Sequence, residues 1–561
     1  MTTPIPPAPP SSRAAARGAW RLAGVLAFLL LAGLACLVLR QYSIKAFSDP
    51  YNWLTYARDL AQQFWVSRWP VTYPAFLWVM LKILGPYAVF LSNLPVLLLL
   101  LVLAAALAYT LARDTEEREL AVLVGVGTLG LLAGFRPSLY VYLANPYRDP
   151  LSHVLLLAAT LCFVRFTRSP GRGLAPVACA GLLLGLAASI REPAVLMMLP
   201  LALAALVTMP LRPFRPLAVA ALTFGLFCAL GLSPLLFQMQ AATDQLLLPP
   251  QVVREGALLP GFDTTKASLN LGFAVDYYRD DGGLFWGLAL LAGVGAAALR
   301  RNRLLLALAL PALVVYAVVY THYRSFVERY FFIVTLWAAP LAVYGLHQVA
   351  AGLLRMLRRP QWARAAQTVL ACAIAAWALF RVGAEEPPDV RFRIADARAF
   401  TRDLQAVVPA GSFIICPRNL CEIISYFTHA QSEAATALVR DDPRSGRAVW
   451  EHYQPMLAAG RPVFFLKQAS IGDKNDDEHL VRRFFDLEPA AELTADHYNL
   501  QAITGSGRLQ LFRVKPWTAL TARFPLPPDA GGAIVQVDAG RLSAAGPART
   551  LARVSCDGLL L

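Results

Sequence analysis

The chain has 561 residues, of which 57% are hydrophobic, 11% aromatic and only 16% charged, with a mean hydropathy of +0.50. An ordinary soluble enzyme carries about 25% charged residues, and a disordered chain lacks this apolar and aromatic content, so both classes are excluded. The formal charge is +15, and only six of the 51 basic residues are Lys. Most of the Arg sit in short clusters between apolar runs, where the positive-inside rule accounts for them without a nucleic-acid partner.

In chain order, residues 1–19 form a basic, Pro-rich cytoplasmic tail, and the apolar run 20–39 reads as a signal anchor running outward. Residues 40–85 follow as an outer loop. Within it Tyr51, Trp53, Leu54, Tyr56, Leu60, Phe64, Trp65 and Trp69 recur at helical spacing, the pattern of an amphipathic helix lying in the membrane interface. Further spans are predicted at 86–112, 120–135, 150–166, 174–190, 193–209, 217–237, 283–299, 304–321, 330–350 and 365–381, with a second outer loop at 238–282. Arg113 and Arg118, Arg165 and Arg168, Arg212 and Arg215, Arg300 to Arg303, and Arg355 to Arg364 all fall on alternate, cytoplasmic connections.

The expected fold is therefore a polytopic α-helical membrane protein of about eleven spans, N-terminus inside. Residues 20–381 form the membrane domain, and 382–561 an extracytoplasmic α/β domain. In that tail, helices are predicted near 390–407, 420–427 and 448–457, strands near 413–416, 463–466 and 509–514, and a β-segment over 533–561. Cys36, Cys162, Cys179, Cys228 and Cys372 lie in apolar runs as small packing residues. Cys416 and Cys421 could form a disulfide in an oxidising compartment or remain two thiols.

Gly125-Val-Gly127-Thr-Leu-Gly130 matches a dinucleotide fingerprint, but it lies inside an apolar span with no preceding strand. Together with Gly181 and Gly185 it reads as a close helix contact instead. Asp473 to Asp477 begins like a calcium loop yet lacks the Gly and Glu such a loop needs, so a solvated turn is expected.

What remains is a set of ionisable residues at the outer ends of spans: Asp49 with Tyr51, Arg148-Asp149 with His153, Arg191-Glu192, Arg324, and Glu328-Arg329. Charges at membrane depth are costly, and their default reading is functional. Each has a plainer alternative. Asp49 and Asp149 each precede Pro and could cap a helix, Arg191–Glu192 and Glu328–Arg329 could be local ion pairs, and His153 could be a packed histidine.

The order of these features resembles the GT-C glycosyltransferases, in the branch of protein O-mannosyltransferases and lipid A aminoarabinose transferases. The likeness rests on Ser48-Asp49-Pro50-Tyr51, Tyr73-Pro74-Ala75-Phe76-Leu77, Asn145-Pro146-Tyr147-Arg148-Asp149-Pro150, Gly185 to Arg191, and Glu328-Arg329-Tyr330-Phe331, and it covers roughly 20–350. Many relatives carry an acidic pair where this chain has Asp49-Pro50. The resemblance implies an inner-membrane enzyme taking sugar from a polyprenyl-phosphate donor to an acceptor lipid, glycan or protein on the outer face. It further implies Asp49 as base, Asp149 sharing that role or orienting the acceptor, and Arg329 with Arg191 or Arg324 on the donor phosphate. Either carboxylate could instead hold a divalent cation. A flippase of lipid-linked sugars should show repeated halves, which are not evident. An envelope scaffold or sensor would tolerate loss of Asp49 and Arg329.

Overall fold

The structure is a computed structural model and describes residues 10–44, 48–61, 70–169, 173–209, 214–243, 264–279, 282–323, 327–428, 430–438, 447–468, 476–500, 507–516, 555–556 and 559–560. It divides into two compact units, Met1–Ile394 and Ala395–Leu561.

The first unit is helical. Its helices are α1 (Pro10–Gln41), α2 (Ser48–Arg58), α3 (Thr72–Ala88), α4 (Asn93–Ala112), α5 (Arg118–Gly134), α6 (Pro137–Leu143), α7 (Arg148–Arg168) and α8 (Ala175–Ile190). There follow α9 (Met198–Thr208), α10 (Phe214–Thr243), α11 (Ala267–Arg279), α12 (Gly283–Leu299), α13 (Arg303–Thr321), α14 (Glu328–Met356) and α15 (Ala363–Ala384). Among the described residues eight helices are long and apolar enough to cross a bilayer, or up to ten if each of two bent pairs counts as one span. Their lengths of 19 to 29 residues match the roughly 20 residues that a bilayer core requires.

Three differences from the sequence reading have local causes. Thr72–Leu91, assigned above to the outer loop, is itself long and apolar enough to span. The sequence run 86–112 hid this boundary, because the break falls at Ser92 rather than at Gly85-Pro86, where the chain only kinks through Gly85 at φ 76°. The segment 120–135 continues, after a bend of 77°, into α6. There Arg136 adopts φ 47° before Pro137 at the first helical position. The two spans at 174–190 and 193–209 are the shorter helix α8 and a 3₁₀ turn, Glu192–Met197, leading into α9.

Both glycine motifs serve packing. A Cβ at Gly181 or Gly185 would strike the backbone of α10 at Phe224 or Cys228, and Gly231 makes the reciprocal approach to α8. Gly125 lies against Ala105 of α4, Gly127 against Val343 of α14, and Gly134 against Trp377 and Ala378 of α15. Helix α5 thus uses a different small residue for each neighbour, which lets three helices approach it closely. The innermost helix is α14, where Tyr330 to Leu336 and Leu341 to Gly345 are buried continuously and Trp337 and Tyr344 are wholly enclosed. Side chains facing outward on α10 and α12, such as Leu222, Leu226, Leu284 and Leu291, are large, apolar and exposed. That is the surface expected against lipid rather than water.

The second unit contains α16 (Ile394–Val407), β1 (Phe413–Ile415), α17 (Arg418–Thr428), β2 (Gln431–Glu433), α18 (Ala435–Leu438), α19 (Arg447–Ala458), β3 (Val463–Gln468), α20 (Asp476–Arg482), β4 (Phe485–Thr494) and β5 (Arg508–Pro516). The sheet order is β2-β1-β3-β5-β4. The β1 strand pairs in parallel with β2 and β3, while β5 pairs antiparallel with β3 and β4. Phe413, Ile415, Val463, Phe465 and Val514 pack with Val449 and Tyr453 of α19 into one apolar core. The strands β2 and β4 were not anticipated. Both are edge strands, the first only three residues long and the second bulged between Pro489 and Ala491, so neither carries the alternating apolar signal.

Asp477, expected in a solvated turn, is instead buried and accepts a hydrogen bond from the Thr436 amide at 2.6 Å. Residues 473–475 lie outside the described residues. Cys416 and Cys421 are both free and buried, and the Cys421 thiol donates to the Cys416 carbonyl at 2.8 Å. Of the expected segment 533–561 only the antiparallel pair Ser555–Cys556 and Leu559–Leu560 is described.

Candidate active site

The site is built around a buried asparagine. Asn93 opens α4, fully enclosed, and its amide donates to the carbonyls of Leu143, Asn145 and Tyr147 at 3.2, 2.7 and 2.8 Å. Asn145 in turn donates to the Ser43 carbonyl at 3.2 Å. These bonds satisfy the backbone of a buried turn, which would otherwise be costly, and fix the entry into α7.

Helix α7 therefore starts in a defined place, with Arg148 and Asp149 as its first two residues. Tyr147 is the residue before it and no side chain caps the helix. The capping reading of Asp149 is thereby corrected, because its carboxylate is used elsewhere. One carboxylate oxygen lies 3.0 Å from Nε of Arg191 and the other 3.6 Å from Nε of Arg329, with all three side chains at most 10% exposed.

Arg191 is delivered by the end of α8, where the chain turns extended and its amide closes on the Ala187 carbonyl at 2.9 Å. Helices α7 and α8 are tied at this level by Ser152 donating to Ala187 O and by Arg148 donating to Ile190 O. Arg148 also faces Glu192 at 3.8 Å and lies 5.4 Å from the Trp53 ring of α2. Arg329 is in the first turn of α14 and donates to the hydroxyls of Tyr142 and Tyr330 at 3.2 and 3.3 Å. The Arg191 guanidinium sits 4.2 Å from the Tyr330 ring and Arg329 4.4 Å from the Tyr147 ring. Among the described residues Nη2 of Arg191 has no hydrogen-bond partner.

Sequence neighbours do not pair with each other here. Glu192 faces Arg148 rather than Arg191, and Glu328 reaches Arg136 at 4.0 Å while Arg329 turns to Asp149. Adjacent residues point in different directions at the start of a helical turn, so both local ion-pair readings are replaced by pairs between helices. His153 is buried one turn beyond Asp149, its ring 6.4 Å from that of Phe332. Tyr51 is buried against Phe90 at 5.5 Å. The Asp49 side chain and Arg324 lie outside the described residues, although the backbone of Asp49 belongs to α2.

Tyr142 and Tyr320, Trp53 as a partner of Arg148, and Arg136 as a partner of Glu328 were not singled out from the sequence, and Tyr147 and Tyr330 stood in quoted motifs without a site role. The Tyr316, Tyr320 pair at one-turn spacing and the Tyr142, Tyr147 pair are visible in the sequence, but they were indistinguishable from an interfacial belt. Among the described residues no group of three or more His, Cys, Asp or Glu could hold a metal ion.

No protein-family profile matches the sequence, and no curated protein does. Solved structures do match. ArnT of Cupriavidus metallidurans, in a structure bound to undecaprenyl phosphate, superposes with TM-score 0.54 at 13% identity, covering 88% of this chain and 98% of that one. Its apo structure gives 0.53 at 13% identity over 89% and 98%. The apo oligosaccharyltransferase of Archaeoglobus fulgidus gives 0.52 at 12% identity over 83% and 73%. The chain shares the fold of these proteins over most of its length, in line with the resemblance that the sequence motifs carry.

Proposed function

We propose that the chain is a membrane glycosyltransferase that moves a sugar from a polyprenyl-phosphate donor to an acceptor on the extracytoplasmic face. The observation that carries this reading is the charge balance of the site. Among the described side chains, three guanidinium groups, Arg148, Arg191 and Arg329, face two carboxylates, Asp149 and Glu192, in a largely buried setting. A buried cluster richer in guanidinium than in described carboxylate suits an anionic ligand, and arginine matches phosphate with a planar fork of donors. Nη2 of Arg191, without a partner among the described residues, supplies one such donor. The start of α14, where Arg329 sits, adds the favourable end of a helix dipole. That the fold's neighbour ArnT was solved with undecaprenyl phosphate supports the lipid-linked form of this anion.

In the reaction, the acceptor oxygen attacks the anomeric carbon while the bond to the donor phosphate oxygen breaks and its electron pair stays on the phosphate. Arg191 and Arg329 stabilise the charge that develops there. The acceptor's proton goes to Asp49, and one displacement inverts the anomeric centre. Asp49 is assigned this role on the sequence resemblance; its backbone lies at the start of α2, and Trp53 of that helix adjoins Arg148. Asp149, with an oxygen toward each of two arginines, acts as a positioning residue that holds them apart and aimed. A divalent cation bound through Asp49 would be an alternative way to activate the acceptor. The orientation follows the Arg-rich connections, with the N-terminus inside, the 382–561 region outside and the chain in a bacterial inner membrane.

The test is mass spectrometry of envelope lipids, glycans and glycoproteins from a deletion strain complemented with wild type, Asp49→Asn or Arg329→Ala at equal expression. A glycan modification that vanishes in the deletion and returns only with wild type supports the transferase. Full restoration by both variants removes it and favours the scaffold reading.

A further inference from the structure

A second basic site lies at the opposite end of α7. Nineteen residues of helix rise separate Asp149 from Arg168 at the end of α7, and at about 1.5 Å per residue this is about 28 Å, close to the thickness of a bilayer core. There a cavity of about 310 Å³ is lined by Asp114 after α4, Arg168 ending α7, Val207 and Thr208 ending α9, and Arg301 and Arg303 at the start of α13. Three guanidinium groups meet one carboxylate. Arg168 lies 3.6 Å from Asp114, while Arg301 and Arg303 have no side-chain partner among the described residues. Asn302 between them is buried and caps α13, accepting from Leu305 N at 3.0 Å and donating to the Leu111 carbonyl. The two flanking arginines are thus carried on a fixed turn rather than a loose loop.

We propose that this cavity binds the phosphodiester headgroup of one anionic phospholipid in the leaflet facing away from the candidate active site. Charge alone would suit a free phosphate equally well. The lipid is favoured because the wall of the cavity includes Val207 of α9, a helix whose Leu199, Leu206 and Val207 are apolar and 54%, 54% and 43% exposed. Acyl chains running along that helix would join the cavity to the bilayer. Basic pockets between membrane helices recognise anionic headgroups by this combination of cations at the surface and apolar grooves below.

The test uses the full-length protein, stripped of lipid in detergent and titrated with diphosphatidylglycerol, phosphatidylcholine or inorganic phosphate, with bound species counted by native mass spectrometry. One diphosphatidylglycerol is expected to be retained and to bind at least about tenfold more weakly to the double variant Arg301→Gln, Arg303→Gln. The control Arg355→Gln, Arg359→Gln, outside the cavity, should bind as wild type does. Asp114→Asn removes the one opposing charge and should tighten binding, which keeps the idea testable if the double variant fails to fold. Equal binding by wild type and the double variant, equal retention of phosphatidylcholine, or no tightening in Asp114→Asn would overturn it. So would inorganic phosphate that binds the cavity and excludes the lipid.

Discussion

The two ends of α7 solve the same problem in opposite ways. At the start, Arg148 and Asp149 are 7% and 3% exposed and are met by charges from two other helices. At the end, Arg168 and Asp114 pair at 3.6 Å with about a third of each side chain exposed. Charges taken out of water must be paired, whereas those in reach of water need not be. Ionic networks of equal size on a drawing therefore differ in what their loss costs, and the buried one is the place where chemistry can be preorganised.

The largest effect should come from Asp149→Ala. Removing one partner of a buried ion pair typically costs about 3–5 kcal/mol, here made worse because two arginines lose the same carboxylate. Asp114→Asn at the far end should cost less than about 1 kcal/mol. Denaturant unfolding in detergent checks both, and comparable losses at the two ends would break the contrast between buried and hydrated pairs.

Next comes Arg329. Loss of a donor aimed at developing negative charge lowers turnover by roughly 100- to 1,000-fold, so Arg329→Ala should show such a fall in transfer rate. Arg329→Lys keeps the charge but not the fork that spans Asp149, Tyr142 and Tyr330, and should recover little of it. Recovery to near wild type in single-turnover measurements would mean that charge alone matters there and that the geometric argument is wrong.

The sequence singled out a set of charges but not how they meet. Arg148, Asp149, Arg191, Glu192 and Arg329 stand out because ionisable residues beside apolar runs are rare. Their partners were illegible, since Asp149 meets Arg191 and Arg329 across 42 and 180 positions, and nothing local encodes such separations. The reading by adjacency, Glu192 to Arg191 and Glu328 to Arg329, failed for the same reason. The aromatic residues were legible as a class only: Trp53 and Tyr330 look like belt residues until a guanidinium is found on their rings. Helix ends were missed where hydropathy is continuous across a break, as at Ser92, and lie near the predicted ones where Arg clusters mark them, as at Arg168 and Arg303. The glycine motifs were read correctly as contacts because a fingerprint without its strand has no phosphate to cradle.

The position of Arg191 depends on α8 lying tightly on α10, so the contrast can also be sharpened without touching a charge. Gly185→Val inserts side-chain atoms against the Cys228 backbone. Overpacking of this kind costs about 1–3 kcal/mol and should lower both the unfolding midpoint and the transfer rate. A variant with unchanged transfer would show that Arg191 is placed by its ion pair rather than by helix packing.

The smallest effect tests the intermediate case, a half-hydrated network in the second unit. Glu478 lies 2.7 Å from both Lys467 and Arg482 with 15% of its side chain exposed. Burial pushes its carboxyl up, but the bonds and charges of Lys467 and Arg482 outweigh this and leave it below the ordinary 4.5. A lowered native value means that folding favours the ionised form. Its contribution is therefore fully present above pH 4.5 and is lost as the pH falls through the lowered native value. The thermal midpoint of full-length wild type should exceed that of Glu478→Gln at pH 7, by an amount equivalent to about 1 kcal/mol or less. The gap should close on acidification, because the protonated glutamate then resembles the amide. A gap that is constant with pH would assign the difference to packing around the side chain, and would place this network with the hydrated pairs rather than between the two ends of α7.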